Sequence, residues 1–261
     1  MKKAALVTGA ASGLGLEFSH LLARDSFDLL LVDIDQGKLI QAKEMLEYEY
    51  SASVDILVFD LSKPQVAANI YAVVKERKIE VLINNAGFGL FGFFSRTDWQ
   101  MEEAMIHLHV LTLTHLTKLI LKDMLAKKSG SIMNVSSLAA FQPGPLMAIY
   151  YATKAYILSF SEALANEVKG TGVTVTAFCP GLTKTNFQKS AATLSGAKES
   201  TINFRTPSPR AVVHYGYKAM RAGKPVAIPG LVNKLTALLP RLVPRAFAVS
   251  MVRRIQEKLR E

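Results

Sequence analysis

The sequence predicts an α/β protein with a doubly wound parallel sheet and helices on both faces. Short apolar runs alternate with longer helical patterns through residues 1–180, and this alternation is typical of parallel sheets with right-handed crossovers. The apolar runs are nearly continuous, as expected where both faces of a sheet are covered. Half of the 261 residues are hydrophobic, which is enough for a sizeable core. We therefore expect one domain over residues 1–261.

The predicted elements follow each other along the chain without an interior linker or repeat. The apolar runs predict strands over residues 4–8, 27–33, 54–60, 79–85, 130–137 and 172–180, with a last strand over 224–230. The segments between them predict helices over residues 13–25, 36–49, 64–77, 98–127 and 149–169.

Two later segments depart from this alternation. Residues 186–210 have weak periodicity and many small polar side chains, which is typical of a lid or binding loop. Residues 231–261 predict a basic, amphipathic segment of one or two helices, interrupted at Pro240 and Pro244. Its apolar face either packs on the domain or on a sister subunit, or it attaches to a membrane surface.

The net charge of +10 is concentrated late in the chain. Ten Lys and Arg residues and no Asp or Glu lie between Thr201 and Gln256. This pattern fits a solvated basic surface, or a docking surface for an acidic partner, a phosphorylated substrate or an anionic membrane. The charges are not interleaved with stacking aromatic residues, so we expect no nucleic-acid binding.

The sequence also bears on the compartment. Cys179 is the one cysteine, so no internal disulfide can form and a reducing compartment fits. The apolar run at residues 4–7 is too short for a signal peptide, and no run approaches the roughly 20 residues of a membrane span. We therefore expect a cytoplasmic protein without a transmembrane span.

The first predicted strand runs into a glycine-rich turn, TGAASGLG, at residues 8–15. Glycines allow a tight turn and a close approach of a pyrophosphate, and the next helix presents its N-terminal amides to that anion. The turn therefore predicts a dinucleotide cofactor. The contacting residues are expected to be Gly9, Ser12, Gly13, Leu14 and Gly15.

Two acidic residues end the second and third predicted strands. Asp33 lies 18 residues after Gly15, where a carboxylate can bind the ribose hydroxyls of an adenosine and would repel a 2′-phosphate. No Arg or Lys lies beside it in VDIDQG, so NAD is favoured over NADP, although a solvated acidic turn is the alternative. Asp60, with Leu61, is expected at the adenine, and capping of the next helix is its alternative role.

Further motifs appear in a fixed order after the glycine-rich turn. They are NNAG at 84–87, NVSS at 134–137, YYATK at 150–154 and PG at 180–181 with Thr185. The whole set resembles the classical short-chain dehydrogenase/reductase family. The resemblance implies a Rossmann-type domain that binds a nicotinamide cofactor and interconverts alcohols and carbonyls by hydride transfer.

The resemblance also assigns roles to site residues. It implies that Tyr150 is the acid/base, that Lys154 lowers the pKa of this tyrosine and binds the cofactor ribose, and that Ser137 holds the substrate oxygen. The physical case agrees, because residues i and i+4 share a helix face and an ammonium stabilises a phenolate. Tyr151 is the competitor, but the family spacing favours Tyr150. The implied cofactor contacts elsewhere are Asn85, Ala86, Gly87, Pro180, Gly181, Thr183 and Thr185.

His109 stands where the family pattern has an active-site asparagine, which helps to hold a water that links the lysine to solvent. Three alternatives remain open. His109 serves this proton relay, or it is a buried histidine beside a water that does the work, or the relay is weakened and the protein is slow or inactive. His107 and His109 point apart on a helix, so we expect no metal site.

We expect an NAD-dependent enzyme acting on an alcohol or carbonyl substrate. Phenylalanines after NNAG and the stretch FQPGPLM at 141–147 suggest an apolar substrate, unless these residues are core or subunit contacts. The alternatives are an NADPH-dependent 3-oxoacyl-type reductase and a protein that binds NAD without turnover. The family resemblance further implies a homodimer or homotetramer.

Overall fold

The computed structural model describes residues 3–184 and 206–258, which contain a parallel sheet of seven strands. The strands are β1 (Ala4–Thr8), β2 (Asp28–Asp33), β3 (Val54–Val58), β4 (Ile79–Asn84), β5 (Gly130–Val135), β6 (Val173–Phe178) and β7 (Val226–Ala227). They lie in the order β3-β2-β1-β4-β5-β6-β7. The strand order reverses beside β1, and a crevice for ligands is expected at the carboxyl ends of β1 and β4. The predicted fold class is confirmed.

Helices cover both faces of this sheet. In the described ranges they are α1 (Gly13–Arg24), α2 (Gln36–Tyr50), α3 (Val66–Val74), α4 (Trp99–Ile106), α5 (Leu113–Lys127), α6 (Ala148–Glu167), α7 (Pro209–Arg221), α8 (Leu231–Leu238) and α9 (Arg245–Lys258). A 3₁₀ turn at Leu138–Phe141 lies between β5 and α6, and another at Leu239–Arg241 follows α8.

The sheet separates two apolar cores. Side chains of β1 alternate between them, with Val7 facing one core and Leu6 the other, and both are fully buried. The first core also contains Phe18 of α1, whose ring meets that of Phe178 edge-on. The second contains Ile120 of α5. Burial on both faces explains why the strands read as continuous apolar runs.

The helix predicted over residues 98–127 is interrupted by a π-helical turn, His107–Thr112. A π turn adds one residue between hydrogen-bonded partners, and such turns are frequent at functional sites. By length and composition alone, the continuous run Trp99–Lys127 is the one helix within the described ranges that could cross a membrane. Leu116, Ile120 and Met124 of this run are buried in the second core. This part of the run therefore packs as a core helix of the domain.

The C-terminal third differs from prediction at two places. The strand predicted over 224–230 is only two residues long, because Pro225 and Pro229 lie on either side of it and lack the N–H that would extend its hydrogen bonds to β6. The predicted lid over 186–210 overlaps α7, which begins at Pro209. Residues 186–205 lie outside the described residues, so the lid and the full single-domain boundary of 1–261 stay predictions.

Candidate functional site

The glycine-rich turn forms a tight cradle between β1 and α1. Gly9 and Gly13 adopt left-handed backbone conformations, with φ of 65° and 58°, which favour glycine. A Cβ at Gly15 would overlap the carbonyl oxygen of Gly9. Ser12 makes no side-chain cap to α1, and the first turn of α1 holds no acidic residue. The helix amides are therefore open to an external anion, which fits a cofactor pyrophosphate.

Asp33 joins the end of β2 to this cradle. Its Oδ2 accepts a hydrogen bond from the amide of Ala11 at 3.0 Å, and its Oδ1 accepts from the amides of Ile34 at 2.8 Å and Asp35 at 3.2 Å. Three amide donors fix the orientation of this carboxylate. An anionic, partly buried group therefore lies at the rim of the phosphate cradle, where it was predicted to bind ribose hydroxyls.

Asp60 has local partners that the sequence did not identify. Its Oδ1 accepts from the amide and the hydroxyl of Ser62 at 3.0 and 2.6 Å. These bonds stabilise a turn rather than the start of α3, which begins only at Val66. The neighbouring Leu61 is buried, and its carbonyl accepts from the hydroxyl of Thr112 at 2.8 Å. The adenine role of Asp60 stays a prediction.

The NNAG segment is held against β1 by Thr8. The Thr8 hydroxyl accepts from the amides of Asn85 at 3.0 Å and Ala86 at 3.1 Å, while the Asn85 side chain donates to the carbonyls of Thr8 and Gly9. Gly87 follows, and a Cβ there would lie 2.6 Å from Nε2 of His109. The cradle, NNAG and His109 thus meet at the crevice.

Ser137, Tyr150 and Lys154 converge beyond the end of β5. Ser137 begins the 3₁₀ turn, where its Oγ accepts from the amide of Ala139 at 3.1 Å, and its side chain is hydrogen-bonded to Tyr150. Lys154 Nζ lies 5.7 Å from the centroid of the Tyr150 ring and donates to the carbonyl of Val135 at 2.9 Å. The predicted proton-transfer pair and its serine are therefore neighbours.

Burial perturbs the titration of this pair. It raises the pKa of Tyr150 above its usual range, and the hydrogen bond with Ser137 offsets only part of that rise. It also lowers the pKa of Lys154 to about 8, while the thiol of Cys179 acts in the opposite direction. The effect of an ammonium on a phenol was predicted from the sequence, but this opposing desolvation was not.

His109 lies in the π-helical turn with a buried side chain. Its Nδ1 is 2.9 Å from Oγ1 of Thr153, and the hydroxyl of Thr153 donates to the carbonyl of Tyr150 at 2.9 Å. A hydroxyl has one proton, so Oγ1 accepts from an Nδ1–H. Nε2 is then an acceptor, and it has no partner among the described residues. Burial, and next the charge of Lys154, lower the pKa of His109 and keep it neutral.

Tyr151 points toward the C-terminal helix instead of the proton-transfer pair. Its hydroxyl accepts from Nε2 of Gln256, on α9, at 2.8 Å, and its ring lies against Gly144, where a Cβ would overlap it. The same helix places Arg253 over the ring of Phe93, at 5.1 Å. Helix α9 therefore packs beside the apolar segment that follows NNAG.

The apolar segment after NNAG is only partly buried. Leu90 is 5% exposed, whereas Phe93 and Phe94 are 49% and 60% exposed. Phe88 lies near His109, with ring centroids 6.2 Å apart. Exposed aromatic residues beside a crevice fit an apolar ligand or a subunit contact better than a closed core.

The segment after β6 borders the crevice on the far side. The Pro180 carbonyl accepts from the amide of Leu138 at 3.0 Å, and Thr183 donates to the carbonyl of Gly181 at 3.1 Å. Asn233 of α8 lies so close to Gly181 that a Cβ there would be 2.9 Å from its amide. Thr185 lies outside the described residues.

Sequence reasoning missed three residues that support this site. Thr8 belongs to the glycine motif but was given no role. Its hydroxyl ends β1 beside the end of β4, and this position was the signal that could have indicated its contacts with NNAG. Thr153 shares the YYATK motif, but its contact with His109 spans 44 residues. Gln256 lies 105 residues from Tyr151, and no local pattern indicates this contact. In the described ranges, no group of three His, Cys, Asp or Glu residues could hold a metal ion.

Comparisons with known proteins agree with this geometry. A family model described as short chain dehydrogenase matches residues 3–194. Mouse 17-beta-hydroxysteroid dehydrogenase type 3 is 31% identical over 67% of this chain and 58% of its own length. Mouse very-long-chain 3-oxoacyl-CoA reductase is 27% identical over 80% of this chain and 72% of its own.

A solved structure is also similar over most of the chain. It is a short-chain dehydrogenase from Sphingobium yanoikuyae in complex with NADPH, with a TM-score of 0.83, 29% identity and 93% coverage of both chains. The relatives are named dehydrogenases and reductases, and the chain is accordingly an oxidoreductase that transfers a hydride between a nicotinamide cofactor and an alcohol or carbonyl. The protein belongs to the classical short-chain dehydrogenase/reductase family.

Proposed function

We propose that the protein is an NAD-linked dehydrogenase or reductase of apolar alcohols and ketones, with Tyr150 as its acid/base. The observation that supports this most is the convergence of Ser137, Tyr150 and buried Lys154 at the carboxyl end of the sheet, beside the phosphate cradle. A bound nicotinamide supplies the hydride acceptor or donor, and the chain supplies binding, orientation and proton transfer.

The proposed roles follow from the positions of the side chains. Tyr150 exchanges the proton of the substrate oxygen, and Ser137 orients that oxygen by a second hydrogen bond. Lys154 stabilises the phenolate and binds the ribose. His109 offers an unoccupied acceptor at Nε2, which suits it to hold the water of a proton relay beside Lys154. Asn85 to Gly87 and the Pro180 segment border the cofactor.

The preference for NAD over NADP rests on Asp33. Its carboxylate lies beside the cradle and would repel a 2′-phosphate. The Sphingobium relative was solved with NADPH, so the two cofactors need a direct comparison. Titration calorimetry of the purified protein with NADH and with NADPH provides it. Tighter binding of NADH supports the proposal, and tighter binding of NADPH would remove the argument from Asp33.

A second candidate is an NADPH-dependent 3-oxoacyl-type reductase, because one mouse relative is named very-long-chain 3-oxoacyl-CoA reductase. The other mouse relative is named a hydroxysteroid dehydrogenase. Both names indicate large apolar substrates, which agrees with the exposed Phe93 and Phe94. A panel of steroid, acyl and small ketones with both reduced cofactors distinguishes these candidates. No turnover of any of them would favour the non-catalytic alternative.

The acid/base assignment has a matched pair of variants. Tyr150→Phe should abolish turnover, by about 10³-fold or more, while calorimetry finds unchanged NADH binding. Tyr151→Phe removes a hydroxyl from the next residue and should retain most of the activity. If Tyr151→Phe is the inactive variant, the assignment is wrong.

Cytoplasmic location is part of the proposal, based on the single buried Cys179 and the reducing environment that it fits. Fractionation of cells that express a tagged chain tests it, and recovery with secreted proteins would contradict it.

A further inference from the structure

The outer face of α8 forms an exposed apolar stripe that continues into the following turn. Each side chain in the stripe is between 48% and 75% exposed. Their spacing of i, i+1, i+4, i+7, i+8 and i+11 keeps them on one side of a helix. The residues are Leu231, Val232, Leu235, Leu238, Leu239 and Leu242.

The inner face of α8 is bound to the protein and fixes this orientation. Ala237 is 5% exposed, and Asn233 donates to the carbonyl of Pro229 at 2.7 Å while packing on Gly181. The helix therefore cannot turn its leucines inward without losing these contacts. The stripe points away from the sheet.

Helix α9 repeats this arrangement. Its residues Phe247, Met251 and Ile255 are 59%, 37% and 48% exposed at a spacing of four, so they share a face. The adjoining face, with Val252 and Gln256, is buried. Two consecutive helices thus present rows of apolar side chains to the outside. Apolar residues scattered singly over a surface are ordinary, but grouped ones mark interaction sites.

Positive charge accompanies both stripes. No Asp or Glu occurs from residue 206 to residue 256, and Glu257 is paired with Arg253. The accompanying exposed cations are Lys234, Arg241, Arg245, Arg254 and Lys258. A second copy of this chain would bring the same cations against them, so self-association through this surface is disfavoured electrostatically.

We propose that α8, the turn at residues 239–242 and α9 form a peripheral docking site for an anionic lipid bilayer. Aliphatic side chains and Phe247 enter the boundary between headgroups and acyl chains, as in other interfacial amphipathic helices. Lys and Arg side chains pair with lipid phosphates. The surface thus has both the apolar side chains and the positive charge that such binding requires.

Docking has a consequence for the site, which rests on the proposed function. Helix α9 bonds Tyr151 and places Arg253 over the ring of Phe93, so the bilayer would lie next to the apolar segment that follows NNAG. The binding itself needs no turnover. Vesicle binding without activity would therefore leave the docking site intact and contradict only the proposed function.

Vesicle co-sedimentation of the full chain tests the proposal. The probes are vesicles of phosphatidylcholine alone and of phosphatidylcholine with phosphatidylglycerol. We expect binding to the anionic vesicles, weaker binding to the neutral ones, and release by added salt. Leu231→Ser/Leu235→Ser and Arg241→Gln/Arg245→Gln should each weaken binding to anionic vesicles by about 10-fold or more.

Matched controls keep the test specific. Tyr48→Ser removes a side chain that is 94% exposed on α2, and Lys75→Gln/Lys78→Gln removes two exposed charges near α3; neither should change vesicle binding. Circular dichroism checks that every variant folds. Absence of binding to anionic vesicles, or equal binding by all variants, overturns the proposal. So does a change from dimer to monomer in Leu231→Ser/Leu235→Ser with vesicle binding retained.

Discussion

Lys154 connects the chemistry of the site with the stability of the fold. Its side chain is 4% exposed, and burial lowers its pKa from 10.5 to about 8. Between these values the unfolded chain binds more protons than the folded chain, so stability rises with pH. Below about pH 8 both states carry the charge, and the buried ammonium costs the fold on the order of 3 kcal/mol.

We predict that Lys154→Met raises the free energy of unfolding at pH 7, by up to about 3 kcal/mol, and abolishes turnover. The advantage over the wild type should shrink as the pH rises from 8 to 10.5, because the wild type loses its buried charge there. Urea unfolding of both proteins at pH 7 and at pH 10 measures this difference.

Lys122→Met is the control, because Lys122 is exposed on α5. It should change neither turnover nor the pH dependence of unfolding. A destabilised Lys154→Met variant at pH 7 would mean that the bond to Val135 outweighs the desolvation.

We predict that His109→Asn retains turnover within about threefold, whereas His109→Leu lowers kcat by about 10-fold to 100-fold. Asparagine can hydrogen-bond the water of a relay, and leucine only fills the volume. Calorimetry should find unchanged NADH binding for both variants.

Thr153→Val tests the role of the histidine tautomer independently. It removes the acceptor at Nδ1, so the proton is free to move to Nε2, and kcat should fall in the same direction as for His109→Leu. Full activity of His109→Leu would assign His109 to packing alone.

Among the helices and strands, the sequence predicted most of what positions the site. Apolar runs located the ends of β1 to β6 to within two residues, so Asp33 and Ser137 were expected at the ends of their strands. The π-helical turn at His107–Thr112 was not predicted, because its hydrogen-bond pattern has no residue signature. β7 was predicted too long, over 224–230, because neighbouring prolines limit a strand that composition alone extends.

We predict that Gly15→Ala weakens NADH binding by about 10-fold or more and destabilises the fold. The added Cβ would overlap the Gly9 carbonyl, which is backbone and cannot move alone. Calorimetry and urea unfolding measure the two effects.

Gly37→Ala is the control, because Gly37 also lies in the first turn of a helix, and its nearest neighbour would be 3.6 Å away. It should leave NADH binding unchanged and stabilise α2 by up to about 1 kcal/mol. Equal NADH binding by Gly15→Ala and wild type would contradict the phosphate cradle.

The helical run Trp99–Lys127 and α6 carry further exposed apolar side chains. Tyr156 bonds Thr114 at 2.8 Å and joins the two helices side by side. Leu111 and Leu125, in the run Trp99–Lys127, are 51% and 38% exposed. Since these helices are where the family resemblance implies subunit contacts, they are our proposed homo-oligomer interface.

We predict that light scattering of the wild type gives two or four times the chain mass of 28.6 kDa. Leu111→Glu/Leu125→Glu should give monomers, because burying two carboxylates opposes association. Tyr48→Glu, on the exposed side of α2, should leave the mass unchanged. A monomeric wild type would contradict the interface.

The central position of β1 determines when the chain can fold during synthesis. Residues Ala4 to Thr8 pair with β2 on one side and with Ile79 to Ile83 of β4 on the other. A nascent chain therefore keeps one edge of its first strand unpaired until about eighty residues have left the ribosome. Pairing between strands so far apart in the sequence slows folding, and it leaves the backbone groups of one strand edge unpaired and prone to association. The newly made chain is thus most prone to aggregation before β4 emerges, and a chaperone that binds the unpaired strand would act at this stage.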